Sequence, residues 1–262
     1  MAFTAKDVAA LRAATGVGMM DCKRALEATD GDIDAAITYL REKGLTKAAE
    51  RAERDNDQGA VALVIDGNVG AIVQLKCETD FAAGSDTFRT LVQDMAELVA
   101  AKSEAAVAER AKELEDLKLT AKENIEIGAV VRFEAPAGHV LDSYLHVQGG
   151  RGVNGVLVEL DGGTSELAHE VAVHVGFTKP KWLVRDEVPA DVVAAERSTL
   201  ENLTRNEGKP EQAIPKIVEG RVAGFFRENC LVEQAYVKDE KQSIQQLVAP
   251  AKVVRFAQVL IG

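Results

Sequence analysis

The residues with the most chemical promise fail on spacing. Gly150-Arg151-Gly152-Val153-Asn154-Gly155 spells the glycine pattern that cradles a dinucleotide pyrophosphate, which works only where the third glycine opens a helix. Here Val156-Leu157-Val158-Glu159-Leu160 continues as a strand, so the glycines read as a hairpin loop. His169-Glu170-Val171-Ala172-Val173-His174 is one residue too long for the metalloprotease pair. At about 100° per helical residue its two imidazoles point about 140° apart, so they cannot share a metal. One reads as solvated and the other as core-facing. Cys22, Cys77 and Cys230 are widely spaced with no C-x-x-C, which fits reduced thiols better than a disulfide framework or a zinc site. The chain has no G-x-x-x-x-G-K-[ST], no G-x-S-x-G and no locally supported Cys–His pair. These absences starve an enzyme reading of chemistry, and the expectation is of no catalytic residue, no metal and no cofactor.

Two other places suit contact with a partner. Val17, Met19 and Met20 gather apolar side chains on a turn, and flexible methionines on an exposed edge adapt to a protein surface. The alternative is that one methionine tucks beneath neighbouring helices. Cys77-Glu78-Thr79-Asp80-Phe81-Ala82-Ala83-Gly84 runs from a strand end into a helix, with Phe81 at the tip, acids before it and small residues after it. Such a ring either wedges into an apolar pocket of a partner or folds back as a staple on the next helix.

The elements that position these residues follow from periodicity and breakers. Thr4-Ala5-Lys6-Asp7 resembles a capping box with Asp in place of Glu, opening a helix that stops at Thr15-Gly16. A second helix carries Cys22, Ala25 and Leu26. Asp32 caps a third, with Ile33, Ile37 and Leu40 on one face and Gly44 as its stop. The charged stretch from Gly44 to Gln58 reads as a helix end or linker and holds the first domain boundary. Ala60–Ile65 and Val69–Cys77 form a hairpin turning at Asp66-Gly67. Phe88, Leu91, Val92, Met95, Leu98 and Val99 then make the buried stripe of a helix over 85–102, and a charged helix runs to about Lys122. Strands around 130–135, 140–147 and 153–160 precede a helix from Thr164 to about Val175. The plan of hairpin, acidic turn and packed helix thus occurs twice, roughly eighty residues apart, which suggests paired α+β subdomains. From Ala190 to about Asn229 a helical hairpin turns at Asn206–Pro210, with Pro210 at a helix start, and Ala251–Ile261 is a closing strand.

Composition narrows the partner. In 262 residues, 31 Lys+Arg face 42 Asp+Glu, a net charge of −11 that argues against direct nucleic-acid binding, which rests on cationic side chains. The amino-terminal residues lack a basic segment followed by an apolar run, and no apolar stretch approaches the ~20 residues of a membrane helix, so the expected setting is cytoplasmic, without a membrane.

Long ordered strings resemble the translation elongation factor Ts family, the guanine-nucleotide exchange factors of elongation factor Tu. Leu11-Arg12 with Thr15-Gly16-Val17-Gly18-Met19-Met20-Asp21-Cys22-Lys23-Arg24-Ala25-Leu26 is similar to the family's first signature, and Cys77-Glu78-Thr79-Asp80-Phe81 to its second. Ser143-Tyr144-Leu145-His146 and Lys209 to Arg221 also resemble it. The resemblance implies an α+β protein with a ubiquitin-associated-like three-helix module and linker over 1–55, a first core subdomain over 56–138, and a second over 139–262 carrying a helical hairpin at about 188–229. It implies that Arg12, Val17, Met19, Met20 and Lys23 grip the partner's nucleotide-binding domain. Thr79, Asp80, Phe81 and Ala82 would intrude near the partner's magnesium site, while Ile125 and His146 align with further contact positions. The partner is elongation factor Tu, and a homodimer within a two-to-two complex is left open. Four departures stand out: Ala82 replaces a larger apolar residue, Val17 a smaller one, Lys122-Glu123-Asn124-Ile125 lacks the usual glycine, and the ending Val254-Arg255-Phe256-Ala257-Gln258 matches only in part. Two other classes remain beside exchange: an adaptor using the three-helix module for a different ligand, and a small-molecule enzyme, for which no reactive group is visible.

Overall fold

The computed structural model describes residues 3–15, 17–51 and 54–262, with only the backbone over 45–51. Three helices open the chain: α1 (Ala5–Thr15), α2 (Met19–Ala28) and α3 (Ile33–Arg51). Thr4 and Asp7 bond reciprocally at the start of α1, Thr4 N donating to the carboxylate at 2.7 Å and Asp7 N to the threonine hydroxyl at 3.4 Å. The first helix ends at Thr15 as expected, while Gly16 and Met1 lie outside the described residues. Asp32 Oδ1 caps α3 by accepting from Ala35 N at 2.9 Å. Val8, Leu11, Cys22, Ala25, Leu26, Ala36 and Leu40 close a small core between the three helices.

Gly44 does not stop α3, which continues to Arg51. Its glycine character serves a close helix crossing instead. A Cβ built on Gly44 would lie 1.6 Å from Leu119 Cδ2, on a later helix of the core. Of the two readings of the charged stretch after Gly44, a helix end or a linker, the helix end holds as far as Arg51, and residues 52 and 53 lie outside the described region.

The core follows from two β-hairpins. Strands β1 (Gln58–Asp66) and β2 (Val69–Cys77) pair antiparallel around Gly67-Asn68, one residue later than expected, with Gly67 at φ 59°. A short helix α4 (Asp80–Ala83) and a long one, α5 (Asp86–Ala101), follow. After a 3-10 turn over Glu104–Arg110 come α6 (Ala111–Ala121) and β3 (Glu126–Glu134), which pairs beside β2. The second unit repeats the order. Strands β4 (His139–Gln148) and β5 (Arg151–Asp161) form a hairpin, α7 (Ser165–Thr178) packs on it, and β8 (Lys252–Leu260) pairs beside β5. Between α7 and β8 lie α8 (Ala190–Asn206), α9 (Ile214–Asn229), the ribbon β6 (Ala235–Tyr236) and β7 (Asp239–Ser243), and α10 (Ile244–Val248). Pro210 sits in the turn between α8 and α9, and it is Pro215 that occupies the first turn of α9. A proline there leaves no intrahelical hydrogen bond unmade.

Alternation along the strands puts the two sheets back to back. Ala60, Ala62, Ala71, Val73 and Leu75 face α5 with Phe88, Val92 and Met95. Val61 and Ile72 face the second sheet, meeting Leu141, Leu157 and Val259. Val156, Val158 and Leu160 look the other way, onto Val171 and Val175 of α7. The result is helix, sheet, sheet, helix, with three apolar interlayers. The glycine string after β4 makes the central interlayer thin: a Cβ on Gly152 would fall 2.2 Å from Val61 O, and one on Gly155 2.8 Å from Val61 Cγ1. Two polar residues cross this interlayer with their bonds satisfied. Gln74 Nε2 donates to Leu260 O at 2.7 Å. Glu159 takes Arg255 Nε at 2.6 Å and faces His139 Nδ1 at 2.6 Å, while Arg255 stacks 4.1 Å over the Phe133 ring.

Candidate partner-binding site

Phe81 is the most exposed large apolar side chain described, at 88 %. Its helix turns the next two residues inward, so Ala82 and Ala83 sink into the α5 core while the ring stands in solvent. The staple alternative is thereby excluded. The small side chain of Ala82 belongs to this seating rather than to the exposed surface. Thr79 caps α4 by accepting from Ala82 N at 3.1 Å, and Asp80 is exposed beside it.

The segment is braced from both ends. Glu123 accepts from Glu78 N and Thr79 N at 3.1 Å each and from the Thr79 hydroxyl at 2.6 Å. Glu78 in return accepts from Asn124 N at 2.6 Å. Beneath them Cys77 donates to Thr79 O at 3.1 Å. Burial, with the Glu123 carboxylate close by, pushes that thiol up to about 11, so it stays a neutral donor. On the other flank Arg151 donates to Asp80 O at 3.4 Å and to Gln58 Oε1 at 3.0 Å. An exposed ring on a backbone that is already ordered loses only its own rotamer freedom on binding, which makes it a suitable anchor for a partner's apolar pocket.

Arg151 also lines a cleft of about 550 Å³ between the sheet ends and α7, with Tyr144, His146 and Phe177 around it. His146 is exposed, its Nδ1 3.1 Å from the Tyr144 hydroxyl, and Phe177 is 78 % exposed. Ile125, by contrast, is fully buried in the α5 core. Its side chain presents nothing to a partner and instead anchors the turn that carries Glu123 and Asn124.

In the N-terminal module Met19 and Met20 are exposed at 48 % and 62 %, with Arg12 and Lys23 also at the surface. The tucked-methionine alternative is excluded for both. Val17 departs from expectation: it is buried in the three-helix core, where it holds the turn before α2. The turn lacking the usual glycine nevertheless contains a left-handed residue, Lys122 at φ 61°.

The apparent chemical motifs resolve as structure. His169 is exposed against Ser143 O, and His174 is buried, its Nε2 2.9 Å from Gln234 Oε1. Cys22, Cys77 and Cys230 are buried and unpaired by disulfides. Among the described residues no group of His, Cys, Asp and Glu could hold a metal, and no helix is long and apolar enough to cross a membrane.

Residues missed from sequence are Glu123, Arg151 and Phe177. The first two act across 44 and 71 positions of chain, a pairing no local pattern encodes. Phe177 lies two residues past Val175, about 200° around α7 and off its apolar stripe, and that mismatch was the signal for it in the sequence.

Residues 78–262 match the model of the family described as Elongation factor TS. Over 99 % of its length the chain is 44 % identical to Elongation factor Ts of Acidothermus cellulolyticus, covering 98 % of that protein. The chain belongs to the elongation factor Ts family. Elongation factor Ts of Streptomyces griseus is 43 % identical, with 99 % of each chain covered. That of Thermobifida fusca is 42 % identical, with 99 % of this chain and 98 % of the relative covered. Elongation factor Ts membership makes this a translation factor of protein biosynthesis and supports an exchange role toward elongation factor Tu.

Proposed function

We propose that the chain binds elongation factor Tu carrying GDP and promotes GDP release by disturbing the partner's Mg²⁺ and phosphate site, which allows GTP to reload. The observation that carries this reading is the seating of Phe81: a solvent-exposed ring on a helix whose other face is buried and whose cap is held by Glu123. Family membership supplies the partner.

Physically the process is a coupling of two binding equilibria. If the nucleotide-free partner binds this chain more tightly than the GDP-bound partner does, the chain must weaken GDP by the same factor. Insertion of Phe81 between supporting helices of the partner displaces groups that hold Mg²⁺, and the phosphates lose charge neutralisation. Asp80 places an exposed acidic group next to the ring in the chain, suited to a site from which phosphate departs. Met19, Met20, Arg12 and Lys23 grip the nucleotide-binding domain, and His146 extends the contact along the cleft that Arg151 joins to the Phe81 helix. No covalent bond changes.

Titration calorimetry of this chain against nucleotide-free and GDP-bound elongation factor Tu tests the coupling. Tighter binding to the nucleotide-free form is expected, and equal affinity for both forms would end the exchange reading.

A further inference from the structure

Each residue of the turn after α6 is committed to a different neighbour. Lys122 closes the helix in the left-handed conformation, φ 61°, and its Nζ lies 3.3 Å from Asp21 Oδ2. Asp21 is in the first turn of α2, next to the exposed Met19 and Met20. Glu123 holds Thr79, Asn124 donates to Arg54 O at 2.9 Å, and Ile125 is buried. One turn thus touches the N-terminal module on one side and the Phe81 segment on the other.

A lysine is a costly choice for a left-handed position, which glycine occupies without strain. What lysine adds there is a charge that reaches Asp21. The module's main seat on the core is the crossing of α3 on α6, where Gly44 meets Leu119 and Arg41 lies 3.5 Å from Asp116. A single helix crossing leaves rotation about the contact weakly fixed, because crossing angles scatter by about 15–20° even within one class of ridge-and-groove packing. The Lys122–Asp21 pair lies on another helix of the module, off that crossing, and supplies the second point that fixes the rotation.

We propose that Lys122 is a positioning residue, whose pair with Asp21 sets the angle of the N-terminal module on the core and so holds the methionine face and Phe81 in one fixed relation. Its functional consequence rests on the exchange reading above; the orientation itself does not. Two surfaces that engage one partner together gain from a fixed geometry, since less freedom is lost on binding.

The test uses the full chain with Ala28→Cys and Glu113→Cys, both exposed, carrying spin labels; the three native thiols are buried, which directs labelling to the introduced pair. Distance distributions are recorded for this background and with Lys122→Gln, Asp21→Asn and both together. Each single change is expected to broaden the distribution, and the double to broaden it no further than either alone. Lys122→Gly, which relieves the left-handed strain, serves as a second variant should Lys122→Gln fold poorly. In a GDP-release assay with elongation factor Tu, Lys122→Gln is expected to raise the half-saturating concentration about two- to fivefold, the range an exposed ion pair supports, at an unchanged saturating rate. Unchanged distributions overturn the proposal, as does broadening with no change in half-saturating concentration. If the unaltered chain releases no GDP, the exchange reading fails, while the distance distributions still decide the orientation.

Discussion

The Glu123 carboxylate receives both hydrogens that Thr79 can offer, its backbone N–H at 3.1 Å and its hydroxyl at 2.6 Å. Thr79 in turn caps the four-residue helix that bears Phe81. A helix this short is not stable alone, so its order is imposed from outside. Replacing Glu123 with Ala removes a charged acceptor and should cost about 1–2 kcal/mol of folding stability. The larger effect is expected in the saturating rate of GDP release, with Glu123→Gln, which keeps the acceptor oxygen, intermediate. Urea denaturation alongside release kinetics checks both.

Gly152 belongs to the string that imitates a dinucleotide fingerprint, yet its missing Cβ lets two sheets approach. A methyl group there would lie 2.2 Å from the Val61 carbonyl oxygen, a backbone atom that cannot swing away. Gly152→Ala should therefore destabilise the fold by roughly 1–3 kcal/mol, the usual cost of overpacking. Thermal unfolding measures it, and a melting temperature equal to that of the unaltered chain would contradict the back-to-back packing.

Much of this architecture was legible in the sequence because its signals are local. The stripe Phe88, Leu91, Val92, Met95 and Val99 located α5 over Asp86–Ala101, one residue inside the expected range at each end, and Ser85 caps it. Phe81 was legible as a wedge candidate because its neighbours in sequence are acidic or small. What the sequence concealed were contacts between distant segments. Gly44 looked like a helix stop, but whether a glycine ends a helix or lets another pass depends on Leu119. Ile125 and Val17 looked like contact residues, yet each is the buried foot of an exposed turn. A residue beside a contact surface and one beneath it have the same address in the chain.

His174 links α7 to the segment before α10. Val237 N donates to its Nδ1 at 3.3 Å, so Nε2 carries the proton that Gln234 Oε1 accepts at 2.9 Å. Burial holds its pKa below the usual 6.5, despite an opposing contribution from Gln234. The unfolded chain takes up a proton near pH 6.5 that the folded one refuses. This contribution to stability is therefore present above about 6.5 and is lost as pH falls through the depressed folded value. Stability should decline between pH 7 and 5, by less in His174→Gln, whose side chain does not titrate. Denaturation midpoints across that range provide the comparison.

Phe81 carries an exposed ring that the fold does not need. Phe81→Ala should leave the unfolding free energy within about 0.5 kcal/mol of the unaltered chain, since the ring is 88 % exposed. An interface anchor of about 2 kcal/mol corresponds to roughly a thirtyfold loss of exchange. The decisive measurement is stopped-flow release of a fluorescent GDP from elongation factor Tu, with catalytic amounts of the unaltered chain and then of Phe81→Ala. Strong acceleration by the first and a loss of at least tenfold in the second are expected. Release by Phe81→Ala at the unaltered rate, or no acceleration by either protein, would contradict exchange through Phe81.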